Sequence, residues 1–370
     1  MKILTIVGTR PEIIKMSLTI KELDKNFTNI LVNTNQNFTY ELSKIFFEDL
    51  KIRKPDYQIE VRSNTHYETI SKTIKECGKI IEKENPECLV ILGDTNSCYS
   101  ALAAKKLGVP IFHLEAGNRC FDENVPEEIN RRIIDHTSEI NLVYTEHARQ
   151  NLIREGIHPQ TIIKTGSPMY EVLNYYKNKI NASKVLKKYK LVKNKYVVVS
   201  IHRNENLDIK NNFFNVFECI EMVSKNYNGK IVVSTHPGLL ARLKKHKKLI
   251  NFNKIVNSLK PLSFTDYIAL QKNSDFVISD SGTLMEETAI LKTKSIMIRN
   301  SHERPEGMDT GTLLVSGLDK KNLHECINLL NKNKKNSEIP IDYLIKDFSK
   351  KISKIILSYF GYIKFFHKKN

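Results

Sequence analysis

The sequence predicts an α/β protein built from two doubly wound domains, each around a parallel sheet. Short apolar runs alternate with helical patterns along the whole chain, which is the signature of βαβ units. The runs fall into two consecutive series of about six, one in each half. Residues able to do chemistry recur just past the ends of these runs, where open parallel sheets place their ligands. At 370 residues the chain is too long for one ordinary core and fits two.

The first series of predicted strands is Lys2–Val7, Ile30–Asn33, Cys88–Leu92, Ile111–Leu114, Ile140–Tyr144 and Thr161–Thr165, with helices such as Glu12–Asp24, Glu68–Glu84 and Ser97–Lys106 between them. The second is Tyr196–Ser200, Lys230–Ser234, Lys254–Ser258, Phe276–Ser279, Ser295–Ile298 and Leu313–Val315. Between Gly166 and Lys193 the chain turns from apolar to lysine-rich and helical, which marks the join. The expected domains are 1–170, 171–345 and a terminal piece, 346–370, that packs across both as a helix and ends in a basic tail. That piece belongs to an amphipathic, aromatic and basic stretch, Ile341–Phe366, for which a helix lying on a membrane surface is the alternative.

Hydrophobic residues make up 41% and charged residues 27%, as in a soluble globular protein. No apolar run approaches the roughly 18 residues of a spanning helix. The N-terminal "MKILTIVGT" reads as a core strand because no small-residue cleavage site follows it. Six scattered cysteines without a C-x-x-C pair argue against a disulfide framework or a metal cluster and for reduced thiols in a cytoplasm. The net charge of +17 invites nucleic acid as a partner, but the lysines are dispersed over solvated faces beside no aromatic platform.

The run Phe276-Val277-Ile278 empties into Ser281, Gly282 and Thr283, and a helix is expected to open at Leu284. A helix start after small residues leaves backbone N–H groups facing outward, which suits a diphosphate. Glu287 lies one turn in, placed for a ribose hydroxyl, and Arg304 follows at the next junction, placed for phosphate oxygens. Other strand ends deliver Thr9 and Arg10, Asp94, Glu115, His202 and His236, while Glu127 and Glu128 precede a helix carrying Arg131 and Arg132. If Asp94, Glu115 and Glu127 converge, burial and mutual repulsion will raise a carboxyl toward neutral pH. Neither G-x-G-x-x-G nor a P-loop is present, so dinucleotide binding by the first turn and ATP hydrolysis lack support.

The motifs "GTRPE", "GDT", "EAGNR", "PEEINR", "TGSP", "HRNEN", "STHP", "SDSGT" and "ERPEG" stand in this order. The set resembles the non-hydrolysing UDP-N-acetylglucosamine 2-epimerase family from Met1 to about Gly317. The resemblance implies a glycosyltransferase-B-like fold, two Rossmann-like domains facing across a cleft. It also implies C2 inversion of a UDP-linked 2-acetamido sugar, no metal or nicotinamide cofactor, and a homodimer. Carried over residue by residue, it implies that Asp94, Glu115, Glu127 and His202 are catalytic. Arg10, Lys15, Tyr267, Ser281, Gly282, Thr283, Glu287 and Arg304 match nucleotide-binding positions.

Within the family, "EAGNRCFDENVPEEINRR" and "HERPEG" look closest to enzymes that form UDP-N-acetyl-L-fucosamine from UDP-2-acetamido-2,6-dideoxy-L-talose for surface polysaccharides. Asn118, Cys120 and Val125 depart from the glucosamine pattern, and Gln36-Asn37-Phe38 replaces the Gln-His-Arg tied there to allosteric activation. Epimerisation or hydrolysis of UDP-N-acetylglucosamine are the nearest alternatives. A retaining glycosyltransferase of the same fold is the alternative from another class.

Overall fold

The computed structural model describes residues 1–35, 44–332 and 338–366, so Gln36-Asn37-Phe38 lies outside the described residues. It resolves into two compact units, one formed by Met1–Tyr175 together with the segment from Ile341 onward, the other by Tyr176–Pro340.

The first unit holds seven strands: β1 (Lys2–Val7), β2 (Thr28–Asn33), β3 (Tyr57–Gln58), β4 (Cys88–Leu92), β5 (Ile111–Ala116), β6 (Ile140–Val143) and β7 (Ile162–Lys164). They lie in the order β3-β2-β1-β4-β5-β6-β7, all parallel. The second holds six: β8 (Tyr196–Ser200), β9 (Lys230–Ser234), β10 (Asn257–Leu259), β11 (Phe276–Ser279), β12 (Ser295–Met297) and β13 (Leu314–Val315). Their order is β10-β9-β8-β11-β12-β13, again all parallel. In each unit the chain builds outward from a first central strand and then reverses direction, so each sheet has a switch point, β1/β4 and β8/β11. The expected α/β class of two doubly wound units is what the chain adopts.

Parallel strands need helical crossovers, which cover both faces of each sheet. Hence β1 and β4 are almost continuously apolar and buried, without alternation. Leu4, Ile6, Leu89 and Ile91 pack on one face against Cys77, Ile80 and Ile81 of the helix His66–Glu84. Val197, Val199, Ile231, Val233 and Ile278 do the same in the second unit beneath Phe213, Val216 and Phe217 of the helix Lys210–Asn226. Each fully buried aliphatic side chain contributes about 1.5–3 kcal/mol, and these rows are what hold the strands in register.

Two strands differ from expectation. Lys254–Ser258 is not one strand: Leu249, Phe252 and Ile255 repeat at helical spacing and form the helix Leu249–Ile255, and β10 starts only after Val256. The edge strand β3 is two residues long, too short for any sequence period to announce.

The last helix, Phe348–Phe366, returns to the first unit and packs on the helix Arg10–Asn26. Ile352 and Ile356 are fully buried there. Lys351 Nζ donates to the carbonyls of Lys164 at 2.8 Å and Thr165 at 3.3 Å, so it closes the end of β7. Glu171 accepts from the Ser349 N–H at 2.9 Å and its hydroxyl at 2.7 Å. Among the described residues no helix is long and apolar enough to cross a membrane.

Gly166 has φ +77°, and a Cβ there would lie 2.3 Å from Ile345 Cγ1 and 2.7 Å from the Asp342 carbonyl oxygen. Gly156 has φ +84° with nothing within 4 Å of a Cβ. Gly156→Ala therefore pays backbone strain alone, and Gly166→Ala pays strain plus displacement of the returning segment. Urea denaturation is expected to show Gly166→Ala losing more than about 1 kcal/mol beyond whatever Gly156→Ala loses. Equal losses in the two variants overturn the role given to this contact.

Candidate active site

In the first unit the chemistry gathers at the carboxyl ends of β1, β4 and β5. Neighbouring parallel strands end side by side, and the Gly93 N–H donates to the Leu114 carbonyl at 2.9 Å, so Asp94 and Glu115 emerge at one edge of the sheet. Glu115 does so through an irregularity: the β5–β6 register shifts between Leu114 and Ala116, and Glu115 itself has φ +66°. A left-handed conformation at a non-glycine residue costs about 1–2 kcal/mol and is held here by its surroundings. The Gly117 N–H donates to both Asp135 oxygens at 3.2 Å, and Asp135 also meets His113 Nδ1 at 3.0 Å and Arg119 Nη1 at 2.7 Å. Burial alone raises the Asp135 carboxyl, but His113 and Arg119 outweigh it and hold it below the ordinary aspartate range.

Asp94 and Glu115 each meet a cation. Lys15, buried on the helix Arg10–Asn26, donates to both Glu115 oxygens at 2.9 and 2.8 Å, and the Tyr144 hydroxyl reaches Glu115 Oε2 at 3.3 Å. Arg131 donates through Nε to Asp94 Oδ2 at 2.9 Å and through Nη1 to Glu128 Oε2 at 3.0 Å. Asn130 Nδ2 adds a bond to the Asp94 carbonyl at 2.8 Å. Glu127 sits half-buried in the first turn of that same helix, Pro126–Thr137. Arg10 opens the helix after β1, half-exposed. Asp94, Glu115, Glu127, Arg10 and Lys15 thus share one edge of one sheet. Cations thus offset the repulsion anticipated between Asp94 and Glu115.

The carboxyl that burial does lift is Glu12, which reaches about 7 even though hydrogen bonds from Thr95, Gly8, Ser97 and Thr9 pull the other way. Its T-x-x-E spacing after Thr9 marks a helix cap, but nothing in the sequence tells that its carboxyl is closed off from solvent.

In the second unit His202 follows β8 and Asp280 follows the neighbouring β11. Asp280 is fully buried and accepts from the N–H groups of His202 at 3.1 Å and Arg203 at 3.0 Å and from Asn206 Nδ2 at 3.0 Å, with His202 Nδ1 at 3.1 Å. The His236 ring centre lies 6.1 Å from that of His202, and His236 Nδ1 accepts from the Gly238 N–H at 3.2 Å. Asp280 is not among the residues predicted from sequence; its position directly after the apolar run of β11 is the signal that marks it.

The helix Leu284–Leu291 opens where expected. The Ser281 N–H, however, is taken by Ser279 Oγ at 3.0 Å and the Thr283 N–H by Ser281 Oγ at 3.4 Å. Hydroxyls from the turn itself satisfy donors that were expected to face outward. Gly282 is packed over: a Cβ there would lie 2.7 Å from Glu303 Oε1 and 3.0 Å from Arg203 Nη2. Those groups belong to a ladder in which Arg203 meets Glu303 at 3.3 Å, Arg299 meets Glu303 at 3.1 Å and Arg299 meets Glu205 at 3.0 Å. Glu287 accepts from Thr283 Oγ1 at 2.9 Å and Gln271 Nε2 at 2.8 Å; Tyr267 lies one turn before Gln271 on the helix Phe264–Lys272. Arg304 is buried, with Glu286 at 3.4 Å and Glu306 at 4.0 Å.

Burial raises the Asp280 carboxyl, but the His202 ring and the Arg203 N–H outweigh it and hold it below the ordinary value of 3.8. A depressed acid contributes stability above its unfolded value and loses that contribution as pH falls through its folded value. Asp280→Asn is therefore expected to cost about 2–3 kcal/mol at neutral pH. The gap to the wild type should narrow once pH drops below 3.8. Urea titrations at both pH values check this, and a gap that stays constant rules the depression out.

The sequence profile described as UDP-N-acetylglucosamine 2-epimerase matches residues 21–357. The chain superimposes on the UDP-N-acetylglucosamine 2-epimerase of Rickettsia bellii with a TM-score of 0.91, at 43% identity and over 98% of each chain. On the Methanocaldococcus jannaschii UDP-GlcNAc 2-epimerase, solved in complex with UDP-GlcNAc and UDP, the TM-score is 0.92 at 34% identity, over 97% of this chain and 100% of that one. The UDP-2,3-diacetamido-2,3-dideoxy-D-glucuronate 2-epimerase of Pseudomonas aeruginosa is 32% identical over 86% of this chain and 88% of its own. With a profile spanning most of its length and relatives of this identity and coverage, the chain belongs to the UDP-N-acetylglucosamine 2-epimerase family, a family of isomerases.

Proposed function

We propose that the protein inverts C2 of a UDP-linked 2-acetamido sugar by eliminating UDP and adding it back. The hydrogen on C2 is not acidic, because no carbonyl lies beside it in the ring. It becomes removable as the C1–O bond to UDP breaks and positive charge grows on C1. A carboxylate takes the C2 proton, the C–H electron pair becomes the C1–C2 double bond of a 2-acetamidoglycal, and the C1–O pair departs with UDP. In the return step a proton is delivered to the other face of C2 and a UDP oxygen closes on C1. Inversion requires proton exchange on both faces, hence more than one acid–base group.

The observation that carries this reading is the pair Asp94 and Glu115 at adjacent strand ends, each clamped by a cation, with Glu127 on the helix that holds Asp94. The proton transfers fall among these three acids, with His202 as a further catalytic or phosphate-contacting group. Arg10, Lys15, Tyr267, the Ser281–Gly282–Thr283 turn, Glu287 and Arg304 are proposed to bind the nucleotide. Charge that grows on departing UDP is what such groups stabilise most. No cofactor enters this scheme.

Two sugars are candidates. Asn118, Cys120 and Val125 support conversion of UDP-2-acetamido-2,6-dideoxy-L-talose to UDP-N-acetyl-L-fucosamine for surface polysaccharides. The names of the R. bellii and M. jannaschii relatives support conversion of UDP-N-acetylglucosamine to UDP-N-acetylmannosamine. A cytoplasmic homodimer belongs to the same reading.

NMR of each nucleotide sugar with the protein in D2O tests the proposal. The product is expected to carry deuterium at C2; deuterium-free product contradicts elimination, and sugar transferred to an acceptor supports the glycosyltransferase instead. Asp94→Asn or Glu115→Gln should lower kcat by about 10²–10⁴-fold with UDP affinity changed little. Loss of UDP affinity alone reassigns the residue to binding.

A further inference from the structure

Glu12 does more than cap a helix. A capping glutamate needs only the N–H of its N-cap residue. Glu12 Oε2 accepts from the N–H groups of Gly8 at 2.5 Å and Thr9 at 3.2 Å. Its other oxygen, Oε1, accepts from the hydroxyls of Thr95 and of Ser97, the latter at 3.0 Å. The side chain is 1% exposed. Gly8 and Thr9 end β1 and precede Arg10; Thr95 and Ser97 end β4 and follow Asp94. One carboxyl therefore fastens the loop that carries Arg10 to the loop that carries Asp94.

The cage accepts two protonation states. Backbone N–H groups can only donate, and both aim at Oε2. Hydroxyls can donate or accept, and both aim at Oε1. With Glu12 ionised, Thr95 spends its hydrogen on Oε1. With Oε1 protonated, the carboxyl donates instead, and the Thr95 hydroxyl, next in sequence to Asp94, turns its hydrogen to Ser97 Oγ, 3.0 Å away, without any heavy atom moving. Thr95 is itself half-exposed. The titratable groups on the surrounding elements are Arg10 and Lys15 on Glu12's own helix, Asp94 and Cys98 after β4, Glu115 and His113 on β5, and Asp135, which is paired with His113. Lys15 is engaged with Glu115 and Asp94 with Arg131, and burial keeps the Cys98 thiol protonated. The four donors on Glu12 are all neutral, and its elevation to about 7 agrees with a carboxyl that has burial and no cation.

We propose that Glu12 is a positioning residue that fixes Arg10 and Asp94 relative to each other across β1 and β4 and, by gaining or losing one proton, reverses the Thr95 hydroxyl beside Asp94. This deepens the epimerase reading and rests on Asp94 and Arg10 working in that reaction.

Glu12→Gln is the decisive variant, since its carboxamide oxygen replaces Oε2 and its NH₂ replaces a protonated Oε1. It is a permanent copy of the protonated state. The first readout needs no catalysis. An acid raised in the folded protein contributes stability fully present below its unfolded value and loses it as pH rises through the folded value. The wild type is thus expected to lose Tm relative to Glu12→Gln between about pH 5 and about pH 8 and to level off above. A difference that is flat across that range overturns the proton-holding role. The second readout is the pH profile of kcat/KM, where the wild type should show an ionisation near neutrality that Glu12→Gln lacks. An identical profile in both proteins reduces Glu12 to a structural cap. Thr95→Val guards against poor folding of the first variant: removing one donor to the ionised carboxylate should move the same ionisation to higher pH, and an unmoved ionisation counts against the proposal. Should the wild type turn over none of the nucleotide sugars, the epimerase reading fails while the thermal comparison still decides Glu12.

Discussion

Buried carboxylates that accept backbone N–H groups at the ends of neighbouring strands are the constraint on which both units depend. Glu12 ties the end of β1 to the end of β4, and Asp280 ties the end of β11 to the end of β8. These are the two switch points, where a doubly wound sheet opens a crevice because the crossovers leave in opposite directions. Loops there have no ladder partners of their own, and their N–H groups need an acceptor. A side-chain carboxyl supplies it, and where the acid is held ionised, as Asp280 is, the bond is charge-assisted and roughly twice as strong as a neutral one. Asp135 repeats the device at the bulge after β5, where it takes the Gly117 N–H. Rigid loop geometry at the sheet edge follows from these three acids more than from any property of the loops.

The chemistry-bearing residues sit inside that frame as matched ion pairs. Lys15 is buried, and breaking its pair with Glu115 would cost about 3–5 kcal/mol by comparison with other broken buried pairs. In the reaction proposed above, the same pairing would serve catalysis. A carboxylate already oriented by Lys15 or Arg131 need not reorganise when charge moves in the substrate, and preorganised dipoles in a dry setting act more strongly than mobile ones in water. The strained backbone at Glu115 coincides with the register shift between β5 and β6, at the residue that pairs with Lys15.

Much of this was legible in the sequence because parallel sheets write their own signature. Buried strands are apolar runs, and the residue after each run lies at the ligand-bearing edge, so Asp94, Glu115, His202 and Ser281 could be named by position alone. Partners were not legible. That Arg131 would bridge Asp94 and Glu128, or that Lys15 would reach a glutamate a hundred positions away, depends on register between strands that no local pattern encodes. The turn at Ser281 was half legible: its helix start was apparent from small residues before an apolar run, whereas the capture of its N–H groups by Ser279 and Ser281 hydroxyls was a competition that Ser side chains often win. Lys254–Ser258 failed because a short apolar run fits two periods, and Phe252, just outside the window, decided for the helix.

The departures from the glucosamine pattern also gain physical meaning from these contacts. Cys120 is not a surface substitution: its thiol meets Glu128 Oε2 at 3.2 Å, and its N–H donates to the same oxygen at 3.1 Å. Burial pushes that thiol up to about 11, so it remains a neutral, weak donor. Glu128 in turn is held below the ordinary glutamate range, burial being outweighed by the Cys120 N–H and Arg131. The thiol, the Cys120 N–H and Arg131 Nη1 meet on one Glu128 oxygen, with Arg132 on the other, and through Arg131 this contact reaches Asp94 two links away. A residue that departs from the pattern can thus be coupled to Asp94 without contacting it.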